Sequence, residues 1–486
     1  MRGLLLLAIA AAGIATAPAA AQQRDFRKEY EAFKQRSLQQ YDDFRKQANA
    51  SYEKFMRDAW TKHNAQQAEP LPARPEPPKP VVKDPDAGPS NDAVPVDRVI
   101  EPVKPVEPPQ PASPIPAPKP PKPDQPRFAF TFYGRSCSVP LEPKHNFTLR
   151  GTDENAVADG WARLSSDDYL PVISECLALR KQLRLCDWGY VRLLERMCAA
   201  FFGSSKPNEA QLMQMYILPQ SGYKVRIART DERIVLLLAS TDNIYEYPYL
   251  TINNCRYYIT DASLLSRSFA VFDREFPKER FFSLRITEEP LLAEEMTKPR
   301  TLVSTRYPEM KATVAVNRHL IDFYDDYPLN DMWNNYALAS LSAKAKEQLY
   351  PALKPQLAGL SATDAANKLL NFVQTAFEYQ TDDVQFGEER PLFADETLYY
   401  PYCDCEDRSI LYAVLVRDLL GLDVVLLHYP EHLATAVRFE DSIIQGDYVK
   451  LNGVQYLVCD PTYIGASVGD AMPQFKRVAA NIVRID

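Results

Sequence analysis

The chain has 486 residues, a formal net charge of −8 and a sequence pI of about 5.4. The length predicts about two to four domains, and the acidic balance argues against a nucleic-acid partner, which would require a basic surface. The 8 cysteines are too sparse for a disulfide scaffold. We expect most of them to be buried thiols.

The first 21 residues, MRGLLLLAIAAAGIATAPAAA, combine one arginine, an apolar run and a small-residue end. This pattern is typical of a Sec signal peptide and predicts export to the periplasm or the extracellular space. No later segment has the roughly 18 consecutive apolar residues that a membrane span requires. We therefore expect no transmembrane segment in the mature chain.

Residues 22–66 carry an 11-residue repeat, in which Tyr-x-x-Phe recurs at 30–33, 41–44 and 52–55. The repeat places aromatic residues on one face of a helix and leaves charged and amide residues on the other faces. An amphipathic helical arm is therefore predicted. It could self-associate, dock on a cell-envelope partner, or rest on the body of the same chain.

Residues 67–126 form a proline-rich linker with stretches such as EPPKP and APKPPKP. Such a composition favours extended polyproline structure over a packed core. At about 3.1 Å per residue the linker would reach on the order of 170 Å. The sequence thus predicts a spacer between the arm and a distant globular body.

Residues 127–270 are predicted to form an N-terminal domain. It has a strand at 128–133, helices at 189–202 and 208–218, and a hairpin at 249–261. Residues 271–334 then alternate apolar and polar residues in FFSLRI, TLVST and ATVAVN. This alternation predicts a β-rich connecting segment with a small antiparallel sheet.

Residues 335–486 contain the pattern on which a functional prediction depends. Helical spacing at 365–377 is followed by a polar, aromatic loop at about 380–403, and a second helix runs from Cys405 to Leu420 and ends at Gly421. Two strands follow, at 422–428 and 432–439. A hairpin at 448–459 then turns at Asn-Gly, the strongest type I′ turn signal.

The helix start reads Cys403-Asp404-Cys405-Glu406-Asp407-Arg408. Nearby carboxylates raise the pKa of a thiol, but the free N–H groups and the dipole of a helix N-terminus lower it. We expect the acidic charges to be neutralised by that dipole or by Arg408. His432 opens one strand and Asp460 closes a neighbouring one. Together these residues predict a nucleophile, a general base and an orienting carboxylate.

This segment resembles the transglutaminase-like superfamily, which has a papain-like fold. The resemblance covers roughly residues 335–486 and rests on three ordered motifs, Cys403-Asp404-Cys405-Glu406-Asp407-Arg408, His432-Leu433-Ala434 and Asp460-Pro461-Thr462. It implies that Cys405 is the nucleophile, His432 the general base and acid, and Asp460 the residue that orients the histidine. Cys403 replaces the small residue usual in the family, and a disulfide with Cys405 would block the site.

The N-terminal domain repeats the same spacings without the catalytic residues. YLTINNCRYYITD at 249–261 matches YVKLNGVQYLVCD at 448–460, and Arg233 precedes Asp261 by the 28 residues that separate His432 from Asp460. Asn208 falls near the cysteine position, with a shift of two residues. We therefore predict an internal duplication, in which a degenerate transglutaminase-like copy precedes the catalytic one. The predicted fold class is α+β, with helices packed on an antiparallel sheet.

The sequence predicts an exported cysteine peptidase or amidase that acts on a protein or peptide through a thioester at Cys405. Two alternatives stay open: a catalytically inactive envelope binding or scaffold protein, and a protein-crosslinking transglutaminase. No metal or nucleotide cofactor is predicted, because there is no phosphate-binding glycine loop. A zinc site made of Cys403, Cys405, Cys459 and His432 lacks the usual ligand spacing.

Overall fold

The computed structural model describes residues 19–70, 80–102, 109–118, 126–166, 169–260, 268–440 and 445–485. The predicted signal peptide at 1–21 lies outside this part of the chain except for its last three residues, which begin the first helix.

The described residues form twelve α-helices and one 3₁₀ turn at Pro143–His145. The helices are α1 Ala19–Met56, α2 Glu154–Leu164, α3 Leu170–Gln182, α4 Asp187–Phe202, α5 Pro207–Gln220, α6 Arg318–Asp325, α7 Trp333–Leu338, α8 Ala343–Leu357, α9 Ala362–Thr375, α10 Asp382–Gln385, α11 Ala394–Tyr399 and α12 Cys405–Leu420.

The strands of the described part run from the end of the arm to the last residues of the chain. They are β1 Thr61–Asn64, β2 Val81–Val82, β3 Val96–Ile100, β4 Phe128–Phe132, β5 Arg135–Val139, β6 Val225–Arg229, β7 Ile234–Ala239, β8 Tyr249–Ile252, β9 Cys255–Ile259, β10 Ser268–Phe272, β11 Arg300–Val303, β12 Lys311–Val314, β13 Glu378–Tyr379, β14 Tyr402–Cys403, β15 Val424–His428, β16 Leu433–Val437, β17 Tyr448–Leu451, β18 Val454–Cys459, β19 Tyr463–Ile464 and β20 Ala480–Arg484.

Two six-stranded sheets organise the molecule. The first has the order β8-β9-β7-β6-β10-β1 and the second the order β17-β18-β16-β15-β20-β3. All neighbouring pairs in them are antiparallel except β20 with β3. The prediction of an α+β fold is therefore confirmed.

The central strands of the two sheets also share their hydrogen-bond registers. Val225 pairs with Leu238 in the first sheet, and adding 199 to both numbers gives Val424 and Val437, which pair in the second sheet. The same offset relates the pairs across both hairpins and those between each hairpin and the strand beside it. Four consecutive strands thus have the same order and register in both halves of the chain.

One large hydrophobic core runs through both halves and includes the helices. A smaller apolar cluster lies behind the outer face of each sheet. The side chains of β15 show this division, since Leu426 belongs to the large core and Leu427 to the outer cluster. Successive residues of a strand point to opposite faces, so both faces of the second sheet are covered.

The helical arm predicted over 22–66 ends at Met56, and Thr61–Asn64 instead forms an edge strand of the first sheet. The end of the helix packs on the body, where Met56 is fully buried and the Trp60 indole N–H donates to the Met56 carbonyl oxygen at 2.9 Å. Tyr30 and Phe33, in the first repeat, are 56% and 64% exposed. The arm therefore rests on its own chain at one end and is exposed at the other.

The prediction that the proline-rich linker is an extended spacer is wrong for its described residues. Val96–Ile100 pairs with β20 as the outer strand of the second sheet, and Val81–Val82 pairs with β19. Farther along, the Pro116 carbonyl oxygen accepts a hydrogen bond from Ser174 in α3. Proline lacks the N–H that a central strand needs, but the valine-rich stretches between the prolines supply donors and an apolar side.

The connecting segment at 271–334 is only partly β-structured. TLVST and ATVAVN contribute β11 and β12, which pair as predicted, but the FFSLRI stretch makes only isolated bridges. Residues Arg318–Asp325 form helix α6, because Leu320, Ile321, Phe323 and Tyr324 cluster on one helix face and the Asn317 side chain caps the start by accepting the His319 N–H.

Candidate active site

Helix α12 carries Cys405 as its first residue, with Asp404 at the N-cap and Gly421 in a left-handed conformation after its end. Every residue from Cys405 to Val416 is buried, so packing all round holds this helix in place. The predicted bounds agree with the structure. The thiol of Cys405 therefore lies among the free N–H groups of a helix N-terminus.

The antiparallel pairing of β16 with β18 brings His432 and Asp460 together. His432 directly precedes β16 and Asp460 directly follows β18. His432 Nε2 lies 2.8 Å from Asp460 Oδ2, and Asp460 Oδ1 accepts the backbone N–H of Thr462 at 2.9 Å. A neutral imidazole in this arrangement donates from Nε2 and keeps Nδ1 as an acceptor.

The second nitrogen of the imidazole, His432 Nδ1, is buried and has no hydrogen-bond partner among the described residues. The ring stacks on Phe475, with centroids 4.9 Å apart and an interplanar angle of 16°. Tyr429 lies nearly parallel to the same ring at 6.1 Å. The imidazole is thus fixed by one carboxylate and two aromatic rings, and one basic nitrogen is left available.

Helix α12 lies against the strand that follows His432. Ser409, one helical turn after Cys405, donates its hydroxyl hydrogen to the Leu433 carbonyl oxygen at 2.7 Å. The thiol of Cys405 donates to Glu406 Oε2 at 3.0 Å. The structure therefore pairs His432 with Asp460 and packs the Cys405 helix against the strand that follows His432. The thiol of Cys405, in contrast, donates to an acid.

Among the described residues, Arg408 forms no ion pair with the acids at the helix start, so the structure does not support neutralisation by this arginine. Its guanidinium donates to the main-chain carbonyl oxygens of Gln374 and Phe377, at 3.3 and 2.9 Å. The side chain is 1% exposed and ties α12 to the end of α9.

The carboxylates around Cys405 form a buried cluster that the sequence did not reveal in full. Asp404, Glu406 and Asp407 are 0% exposed, and Asp382, the first residue of α10, is 2% exposed. Burial, reinforced by the neighbouring carboxylates, raises the pKa of Asp404 and of Asp382 well above the usual range. The same causes raise the pKa of Asp407 to about 7. The Cys405 thiol therefore lies at the edge of a cluster of buried carboxyl groups.

Cys403 lies in the short strand β14, which pairs with β13. Its thiol is buried, and burial raises its pKa to about 11. All 8 cysteines are free thiols and six of them are buried, so the prediction of buried thiols is confirmed. Among the described residues, no group of potential metal ligands contains Cys403, Cys459 or His432, so the structure does not support the zinc alternative.

A cleft of about 700 Å³ opens beside the loop that leads into the helix start. Its lining includes Phe386, Tyr400 and Tyr402 together with Asp325 and Arg390. Aromatic rings and charges of both signs suit a peptide better than a uniformly apolar ligand. The sequence indicated that this loop shapes the site but not which of its residues would line a cleft.

No protein-family model, no curated protein and no solved structure matches the chain. None of the helices in the described part is both long and apolar enough to cross a membrane.

Proposed function

We propose that the chain is an exported cysteine enzyme of the transglutaminase-like type, a peptidase or amidase that acts on a cell-envelope peptide. The observation that carries the proposal is the buried His432–Asp460 pair, 2.8 Å apart, with Nδ1 of the histidine left available. The Cys405 helix packs on the same strand through Ser409. Nucleophile, base and orienting carboxylate are the groups that thiol acyl transfer requires.

In the proposed reaction His432 Nδ1 takes the proton of the Cys405 thiol, and the thiolate attacks the amide carbon. The C–N bond breaks, the imidazolium returns the proton to the leaving amine, and a thioester remains on Cys405. Water, deprotonated by His432, then hydrolyses the thioester. The N–H groups at the start of α12 are placed to stabilise the oxyanion.

Substrate entry requires a local movement, because Cys405, His432 and Asp460 are 0%, 1% and 2% exposed. Phe475 lies on the imidazole and belongs to the stretch after β19. The cleft is lined by Tyr402, which lies in the short strand just before the start of α12. We infer that a peptide enters from this cleft.

A second candidate, a catalytically inactive binding or scaffold protein, is favoured by the hydrogen bond from the Cys405 thiol to Glu406. In that bond the thiol hydrogen points to a carboxylate rather than to the imidazole. In this alternative both six-stranded sheets and the exposed half of α1 hold partners, either a second copy of the chain or an envelope protein.

We also infer that the two halves arose by duplication and that the first is a degenerate copy. The shared strand order and the constant register offset support this hypothesis. In the first half Asn208, at the start of α5, bonds to the Glu232 carbonyl and the Ile234 N–H, on either side of Arg233. Arg233 occupies the histidine position of that half. If α12 corresponds to α5, we expect the start of α12 to lie beside His432. Asp261, the predicted counterpart of Asp460, lies outside the described residues.

Trapping of the thioester tests the proposal. The protein is incubated with a library of peptide amides and hydroxylamine, and peptide hydroxamates are measured by mass spectrometry. Cys405→Ala and His432→Ala should abolish the hydroxamates, whereas Cys403→Ala, at the neighbouring buried thiol, should retain them. No hydroxamate from any peptide would favour the binding protein, and incorporation of a primary amine into a glutamine side chain in preference to hydrolysis would identify a crosslinking enzyme.

A further inference from the structure

A second cavity, of about 420 Å³, lies in the N-terminal half and shares no lining residue with the cleft beside the start of α12. It is formed by the end of α3, the loop into α4 and a segment at 283–288. Four of its lining residues are basic, namely Arg180, Lys181, Arg184 and Arg285. Because the whole chain has a formal net charge of −8, this concentration of positive charge sets the cavity apart from the rest of the molecule.

The acids of this cavity compensate only part of its positive charge. Asp187 and Glu288 also line it, so four cations against two carboxylates leave a formal charge of +2. Asp187 is already paired, since its Oδ1 lies 2.7 Å from Nη2 of Arg180. Lys181 and Arg184 are exposed and have no ion-pair partner among the described residues. The cavity therefore presents cations that an anionic ligand can reach.

The dipole of α3 accounts for the position of only two of these cations. Arg180 and Lys181 lie in the last turn of the helix, where the negative end of the dipole stabilises a positive charge. Arg184 follows the helix in a left-handed conformation, with φ at 53°, and Arg285 comes from a distant segment. Like charges from separate segments thus converge on one cavity. A cavity with charges of one sign in excess concentrates ligands of the opposite sign.

The cavity also has apolar walls and one arginine that is held in place. Leu177 and Leu185 belong to its lining. The guanidinium of Arg180 lies over the rings of Tyr190 and Tyr223, at 5.4 and 5.3 Å from their centroids. A volume of about 420 Å³ is typical of a site for an organic molecule and exceeds what a single inorganic ion fills. Cations beside leucines therefore suit an anionic group attached to an apolar body.

We propose that this cavity binds a small organic phosphate, a phosphate monoester whose body packs on Leu177 and Leu185. A phosphate monoester carries a charge of about −1.5 to −2 at pH 7, which matches the lining better than the single charge of a carboxylate. Arg184 and Arg285 supply guanidinium groups, whose planar forks fit phosphate oxygens. Lys181 adds a third positive charge. The site does not depend on Cys405 or on the proposed enzymatic function.

Binding is tested on the full-length protein with phenyl phosphate as the probe, at constant ionic strength. We expect one saturable site by isothermal titration calorimetry, and a rise of roughly 1–3 °C in the midpoint of thermal unfolding at about 100 times the Kd. Inorganic phosphate lacks the apolar body and phenol lacks the charge, so each should bind about tenfold more weakly or worse. Lys181→Gln and Arg184→Gln should each weaken binding of phenyl phosphate about fivefold or more. Arg184→Lys should recover part of the loss, because it keeps the charge without the fork.

Lys278→Gln is the matched control for Arg184→Gln, because Lys278 is also an exposed cation in a left-handed conformation, with φ at 58°, but does not line the cavity. It should bind phenyl phosphate like the wild type. Without ligand, all these variants should unfold at the wild-type temperature, since the replaced side chains are exposed. Absence of saturable binding, or equal binding by wild type, Lys181→Gln and Arg184→Gln, would overturn the site. Tighter binding of benzoate would overturn the choice of phosphate, and inorganic phosphate binding as tightly as phenyl phosphate would overturn the apolar body.

Discussion

Replacing Gly222 by alanine should displace the proline-rich segment from the N-terminal half. Gly222 follows α5 with φ at +93°, and a Cβ built there would lie 2.1 Å from the Gln110 carbonyl oxygen. Both atoms of that clash are fixed by backbone, so the alanine fits only if residues around 110 move away.

The loss of unfolding free energy expected for Gly222→Ala has two contributions. Forcing a non-glycine residue into a left-handed conformation costs about 1–2 kcal/mol, and overpacking a close contact adds about 1–3 kcal/mol. Gly421→Ala isolates the first term, because Gly421 is left-handed with φ at +66° and a Cβ there meets no atom within 4 Å. We expect the free energy of unfolding to fall by about 1 kcal/mol for Gly421→Ala and by about 2–4 kcal/mol for Gly222→Ala.

Urea unfolding gives the two free energies, and limited proteolysis reports whether the chain around Gln110 is released. Cleavage there should be faster in Gly222→Ala than in Gly421→Ala or in the wild type. Equal losses of stability and equal cleavage in the two variants would show that the segment does not dock against Gly222. The prediction of an extended spacer would then be favoured again.

The free energy of unfolding should fall as pH rises from 5 to 7, because Asp407, with its pKa raised to about 7, stays protonated in the folded state and ionises in the unfolded state. The slope is about 1.4 kcal/mol per pH unit for each such proton, and a flat urea-unfolding profile would contradict this prediction. Asp460→Asn should lower turnover of the peptide identified by hydroxamate trapping about 10³–10⁴-fold, since the variant loses the carboxylate that selects the histidine tautomer. The melting temperature should change little. Unchanged turnover would show that Asp460 is not part of the active site. Tyr41 and Tyr52 occupy the same repeat position, but Tyr41 is 43% exposed whereas Tyr52 packs on the body and donates to the Glu275 carbonyl oxygen. Replacement by alanine should therefore cost less than about 0.5 kcal/mol at Tyr41 and about 2 kcal/mol at Tyr52, measured by urea unfolding, and equal costs would show that the arm does not dock.

Features set by neighbouring residues were predictable from the sequence. Helix α12 begins and ends where its N-cap, apolar run and following glycine indicate. The hairpin turn is formed by Asn452 and Gly453 with φ at 51° and 81°, the two positive values that a type I′ turn requires. The pairing of His432 with Asp460 also followed, because each residue flanks a strand of one small antiparallel unit.

Features that depend on distant parts of the chain were not predictable. The sequence of Val96–Ile100 resembles the rest of the proline-rich linker, and it forms a strand only because it pairs with β20, nearly 400 residues later. Asp382 joins the acidic cluster from the separate short helix α10, so the run Asp404-Cys405-Glu406-Asp407 gave no sign of a fourth buried carboxylate. The orientation of Arg408 depended on the carbonyl groups at the end of α9. In each case contacts with another part of the chain, rather than the local sequence, determined the outcome.

The central claim is that Cys405 and His432 form a working pair, and the rate of Cys405 alkylation as a function of pH tests it most directly. The rate is read by mass spectrometry in the wild type and in His432→Ala. A working pair predicts alkylation well below the free-thiol pKa of about 8.5, and this reactivity should be lost in His432→Ala. A pH dependence of alkylation like that of an ordinary thiol, unchanged by the substitution, would contradict the claim and identify the protein as a binder.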